Sequence, residues 1–146
     1  MGYQEFAQFW PQQPSDGGIA DYMNNMPKYV VSNTLDSVDE WQNSTLFNGD
    51  VMAEVRMLKE QSGKNIAMSG SGMLVRSLLQ EGLLDELRLF VHPIVVGSGK
   101  RLFSDGMARQ GLRLADARIF NTGVLYLTYT PALPEEGETA NREAAA

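Results

Sequence analysis

The stretch Met68-Ser69-Gly70-Ser71-Gly72-Met73 constrains the fold of this 146-residue chain more than any other. An apolar run, Asn65-Ile66-Ala67-Met68, leads into it, and Leu74, Leu78 and Leu79 follow at helical spacing before Gly82. Apolar run, glycine turn and amphipathic helix together begin a βαβ unit, so 65–68 is predicted to be a strand and the helix to stop at Gly82. Glycines at such a turn let backbone N–H groups approach an anion at the positive end of the helix. Ser71 acting as a plain N-cap explains the same residues without a ligand, and the full dinucleotide fingerprint is absent. From the residues alone, a tight turn and a phosphate cradle both stand.

The remaining pattern is consistent with an α/β domain. Tyr3, Phe6, Phe9 and Trp10 recur at helical spacing before Pro11, giving a helix over 2–9 whose aromatic side chains face a core, and then a polar loop over 12–18. Tyr29, Val30 and Val31 predict a buried strand over 28–32, with another possible over 45–47. Asp50 stands at an N-cap ahead of Val51, Val55 and Leu58, which share one helical face ended by Gly63. The stretch 87–96 is apolar on both parities and reads as a strand buried on both faces, while 111–120 and 124–130 flank Asn121-Thr122-Gly123 as a hairpin. Residues from 131 onward are too poor in apolar side chains to fold and read as a disordered tail.

Charge and cysteine content exclude several chemistries. The formal charge of -6 gives an acidic surface that repels nucleic acid and anionic membranes, so neither is an expected partner. No cysteine is present, which removes disulfides, thiol catalysis and thiolate metal ligands, and a single histidine gives no metal-ligand spacing. No apolar run reaches the roughly 20 residues of a membrane-spanning helix, and the expected location is cytoplasmic.

Two further features carry possible chemistry. Gly97-Ser98-Gly99-Lys100-Arg101 follows a strand, and reads equally as a turn with two solvated cations or as a flexible wall beside a ligand. His92, between Val91 and Pro93, reads as a structural residue, because no second titratable motif accompanies it. Asp85 and Glu86 beside Arg88 mark an exposed strand entrance.

Taken in order, Phe6-Ala7-Gln8-Phe9-Trp10-Pro11, Lys28-Tyr29-Val30-Val31-Ser32-Asn33-Thr34-Leu35, Ser69-Gly70-Ser71-Gly72, Gly82-Leu83-Leu84-Asp85-Glu86-Leu87 and Pro93-Ile94-Val95-Val96-Gly97-Ser98-Gly99-Lys100-Arg101-Leu102-Phe103 resemble the dihydrofolate-reductase-like superfamily. The nearest branch is the C-terminal reductase domain of the riboflavin-biosynthesis protein RibD, and the resemblance spans 1–130. It implies a three-layer α/β fold with a mixed, mostly parallel sheet. It also implies NADPH-dependent reduction of a small heterocyclic or carbonyl substrate, of the 5-amino-6-(5-phosphoribosylamino)uracil kind. By the same resemblance Ser69, Gly70, Ser71, Gly72 and Met73 hold the pyrophosphate, and Ser32, Asn33 and Thr34 meet the adenosine ribose.

The sequence also departs from that family. Asn33 stands where an arginine is frequent, and arginine is the residue that pairs a 2′-phosphate bidentately. NADPH is therefore expected without strong preference over NADH. Family members open with a strand, a substrate-side loop and helix, and a second strand before the helix that here begins at Gly2. The reading is thus of a domain over 1–130 lacking its N-terminal strands, with no catalytic residue to name. Apolar strand edges left open by such a gap invite a second copy, so a homo-oligomer is expected. The rival reading is a non-catalytic remnant, or a self-associating module that retains partial nucleotide binding.

Overall fold

The computed structural model describes residues 2–103 and 105–132 and is of the α/β class. The chain divides into two compact units between Ser62 and Gly63.

The first unit opens with α1 (Tyr3–Phe9), whose Glu5 carboxylate reaches back to accept from the Gly2 amide at 2.9 Å. A 3₁₀ turn, Trp10–Gln12, built on Pro11, ends it. Helix α2 (Ile19–Asn25) follows within a stretch that the sequence reading left without an element. Seven residues behind a glycine cap carry little periodic signal. The local determinant is Asp21, whose carboxylate accepts from Ser15 Oγ and the Gly17 amide at 2.5 Å, and these bonds hold its pKa below the usual value.

Strands β1 (Lys28–Val31) and β2 (Ser44–Phe47) then pair in parallel, Lys28 opposite Ser44 and Val31 opposite Phe47. The connection between them brings Val38 and Trp41 into the core of this unit. Trp41 is its hub. The indole Nε1–H donates to Asn24 Oδ1 at 2.7 Å, the rings of Tyr3 and Phe6 lie 6.3 and 6.5 Å away, and the Lys28 ammonium sits 4.4 Å over the ring. The same ammonium donates to the carbonyls of Met23, Asn24 and Met26, closing the C-terminal end of α2. Partial burial pushes its pKa down. The aromatic stripe predicted for α1 is only partly inward, since Phe9 remains 52% exposed. Helix α3 (Val51–Glu60) starts where expected, with Asp50 Oδ1 accepting from the Ala53 amide at 3.1 Å.

In the second unit, α4 (Gly72–Gln80) buries Leu78 and Leu79. It stops as predicted at Gly82, whose φ of 65° lets Leu83 N donate to Leu78 O at 2.8 Å. Strands β3 (Leu87–Val91), β4 (Leu112–Ile119) and β5 (Leu125–Pro131) form an antiparallel sheet in the order β3-β5-β4. The predicted hairpin joins β4 to β5, closed by the Phe120 amide on Val124 O at 2.9 Å and by Gly123 at φ 82°. Among the described residues the parallel and antiparallel pairings of the expected mixed sheet thus belong to separate sheets.

Three expectations are corrected. Residues 65–68 are not a strand but irregular and exposed, with Ile66 at 52%. Apolar character makes a strand only where a ladder partner exists, and none of the described residues pairs with them. The stretch 87–96 is a strand only to Val91 and is not buried on both faces. Pro93 has no amide to donate, Ile94 N turns back onto His92 O at 2.8 Å, and Val95 is left 95% exposed. Residues 131 and 132, expected in the tail, are ordered instead, because Pro131 ends β5 and Ala132 N donates to Gly111 O at 3.0 Å. The tail reading of 133–146 lies outside the described residues.

Candidate functional site

In each unit a helix starts shortly after a stretch predicted as strand, and their first turns differ in charge. Helix α3 carries its own anion, the Asp50 carboxylate, with Glu54 also in its first turn. Helix α4 is capped by the neutral Ser71 and has no acidic residue in its first turn. A helix end already neutralised by a carboxylate has little left to attract a ligand anion, whereas an uncharged cap leaves the dipole available.

The approach to α4 is conformationally unusual. Gly70 has φ 88° and Ser71 has φ 48°, two left-handed residues in succession. A serine in that region is strained by about 1–3 kcal/mol, offset in part by its Oγ accepting from the Leu74 amide at 3.4 Å. The amides of Gly72 and Met73 are the first of the helix and have no carbonyl of its own to meet. Nothing stands within 4 Å of where a side chain on Gly70 would begin, and Ser69, Gly70 and Ser71 are exposed. Open backbone donors, open space and an uncharged cap fit a phosphate group.

Arg76, one turn into α4, joins this turn to the second glycine cluster. Its Nη1 donates to Arg101 O at 3.3 Å and to Leu102 O at 3.0 Å. The guanidinium also folds back over the helix start, so that a Cβ on Gly72 would lie 3.4 Å from Nη1. The two motifs singled out in the sequence, 69–73 and 97–103, are thus tied together. Sequence reasoning assigned Arg76 no role in this link, because only the fold connects it to carbonyls 25 and 26 residues away.

Ser32, Asn33 and Thr34 lie in the other unit, at the C-terminal end of parallel strand β1. Ser32 N extends the ladder to Phe47 O at 3.1 Å, and its Oγ accepts from the amides of Thr34 and Leu35 at 3.2 Å. Asn33 and Thr34 are exposed. The carboxyl end of parallel strands is where α/β folds place ligands. His92 is exposed in the turn at Pro93. Glu86 and Arg88 form an exposed ion pair. Among the described residues no cluster of histidine and carboxylates could hold a metal, and no helix is long and apolar enough to cross a membrane.

These features are those of an α/β protein, and comparison with known proteins supplies the family. The chain belongs to the RibD C-terminal domain family, which matches residues 1–127. It is 37% identical over 108 residues to the uncharacterized protein YyaP of Bacillus subtilis (strain 168), covering 73% of this chain and 56% of YyaP. It is 32% identical over 96 residues to the uncharacterized protein YwjB of the same organism, covering 66% of this chain and 55% of YwjB. The chain therefore spans about half the length of the curated relatives it matches. Its fold is similar to the crystal structure of a protein of Shewanella sp. PV-4 assigned to riboflavin biosynthesis, with TM-score 0.65 and 22% identity, covering 75% of this chain and 62% of the other.

The strain at Ser71 predicts unequal responses to two small substitutions. Ser71→Ala loses the cap and keeps the left-handed strain, so it should destabilise the protein by about 1 kcal/mol. Ser71→Gly relieves the strain and should stay within roughly 0.5 kcal/mol of the parent. Urea denaturation of both variants measures the difference, and a glycine variant less stable than the alanine one contradicts the geometry.

Proposed function

We propose that this chain binds the pyrophosphate of a nicotinamide dinucleotide at residues 69–73 and forms the cofactor-holding part of an NAD(P)H-dependent reductase of the riboflavin-biosynthesis type. The observation that carries this reading is the opening of α4, with Gly70 and Ser71 at positive φ and no acid in the first turn. Family membership supports it, since RibD C-terminal domains generally use NADPH.

The chain's own contribution is binding and orientation. The amides of Gly72 and Met73 hold the anion, with the hydroxyls of Ser69 and Ser71 beside them. When bound, a reduced nicotinamide would supply the hydride for a small heterocyclic or carbonyl substrate.

Calorimetric titration with NADPH tests the reading. Gly70→Val puts a branched side chain at a φ of 88°, which only glycine adopts without strain, and in the open space before the helix. It should weaken NADPH binding by at least about tenfold while circular dichroism stays unchanged, and Gly70→Ala should fall between it and the parent. Parent affinity in a folded Gly70→Val protein, or no binding by the parent, contradicts the assignment.

A second reading, self-association, is favoured by the apolar side chains exposed in the second unit. Phe90 is 61%, Val95 95% and Ile119 80% exposed, and Phe90 stacks with Phe120 at 6.4 Å on one such surface. Exposed apolar side chains in contact, such as Phe90 and Phe120, are the kind of surface a second copy can cover. Sedimentation of the purified chain at micromolar concentration should give a dimer or larger species, and Ile119→Lys should shift it toward monomer. A parent protein that sediments only as monomer removes this reading.

A further inference from the structure

The connection from β2 to α3, Asn48-Gly49-Asp50, holds the one asparagine of the chain that is followed by glycine. Asn48 and Gly49 are both exposed. Among the described residues neither the Asn48 carboxamide nor the Gly49 backbone amide makes a hydrogen bond. A free carboxamide beside a free backbone N–H sets an electrophile next to a nucleophile, because the nitrogen of the following residue can close on the side-chain carbon to give a five-membered imide. Bulk on that following residue hinders closure, and glycine has none. Nothing stands within 4 Å of where a side chain on Gly49 would begin, so the surroundings do not obstruct the approach either.

The other asparagines among the described residues lack one or both conditions. Asn24 donates to Trp10 O at 3.0 Å and accepts from Trp41 Nε1 at 2.7 Å, Asn25 donates to Asp21 O at 2.8 Å, and Asn43 donates to Asn24 O at 3.2 Å. Asn33, Asn65 and Asn121 precede the β-branched Thr34, Ile66 and Thr122. The Thr34 amide is in addition engaged by Ser32 Oγ at 3.2 Å.

We propose that Asn48 is a site of spontaneous deamidation at the joint between β2 and α3. The Gly49 nitrogen gives its proton to solvent base and bonds to Asn48 Cγ, and the carboxamide nitrogen takes up a proton and leaves as ammonia. Water then opens the imide. Attack at the Cγ carbonyl leaves an aspartate, and attack at the main-chain carbonyl leaves an iso-aspartate, whose backbone runs through Cβ and Cγ. Either product adds one negative charge to a chain whose formal charge is -6. The iso-aspartyl form also lengthens the main chain by one carbon between Phe47, whose carbonyl accepts from the Ser32 amide, and Asp50, whose carboxylate caps α3. Those two bonds lie on either side of the altered link, so the damage falls on the joint rather than on the strand or the helix. This chemistry needs no ligand and stands apart from the dinucleotide reading.

The test is to hold the full chain in mildly alkaline buffer, warm but folded, and to follow the peptide containing residue 48 by digestion and mass spectrometry. The parent should gain about one dalton at residue 48, faster at higher pH, as a more acidic species grows on ion exchange. Gly49→Ala should slow that gain by at least about tenfold. Gly49 is not left-handed and has open space around it, so alanine fits there without strain. Asn48→Gln should stop the gain, because its ring closure needs six members. Asn48→Asp adds the charge without lengthening the chain, so its urea midpoint should stay near the parent's while that of the iso-aspartyl fraction falls below both. A carboxamide that persists at 48, or a Gly49→Ala protein that converts as fast as the parent, overturns the proposal. An iso-aspartyl fraction as stable as Asn48→Asp overturns the placement of the damage at the joint.

Discussion

The functional reading depends on one local constraint, the pair of left-handed residues Gly70 and Ser71 that delivers the chain into α4. A helix must leave its first amides without internal partners, and what meets them is decided by the residues just before it. At α3 an aspartate supplies a full negative charge and the matter is closed within the chain. At α4 the cap is a neutral hydroxyl held in a strained conformation, and its reach to the Leu74 amide is long at 3.4 Å. Strain that a glycine at position 71 would relieve, kept at the mouth of an open helix, is what supports the proposed site.

Arg76 gives that turn its context. By donating to the carbonyls of Arg101 and Leu102 it brings a second glycine cluster to the first, so that a single side chain organises two loops. In the first unit Lys28 plays a comparable organising part through Trp41 and the carbonyl end of α2. Both cations end helices or loops by satisfying carbonyls that would otherwise lack donors. Lys28 is occupied on all three donors, whereas Arg76 retains two nitrogens for other work.

What could be read from the sequence followed from local physics. Asp50, Ser71 and Gly82 act within one turn of the residues they cap, and Asn121-Thr122-Gly123 closes on its own flanks, so these boundaries were predicted correctly. The failures needed partners that local pattern does not reveal. Ile66 to Met68 has the composition of a strand but no ladder, and Ile94 to Val96 lies beyond a proline that ends one. Helix α2 is short, and its determinant is an aspartate bonding backward to Ser15 and Gly17 rather than an apolar stripe. The 69–73 turn is legible as a candidate site because its glycines and serines are contiguous in the sequence.

The central claim is that the open amides of α4 meet the phosphates of a nicotinamide dinucleotide. Heteronuclear NMR of the chain titrated with NADPH tests it most directly, because backbone amide resonances report an approaching anion residue by residue. The account predicts that the amides of Gly70, Ser71, Gly72 and Met73 shift most, in a saturable way, while those at the carboxylate-capped start of α3, Val51 to Ala53, move little. Saturable binding that leaves 70–73 unmoved, or shifts centred on the start of α3, would contradict it.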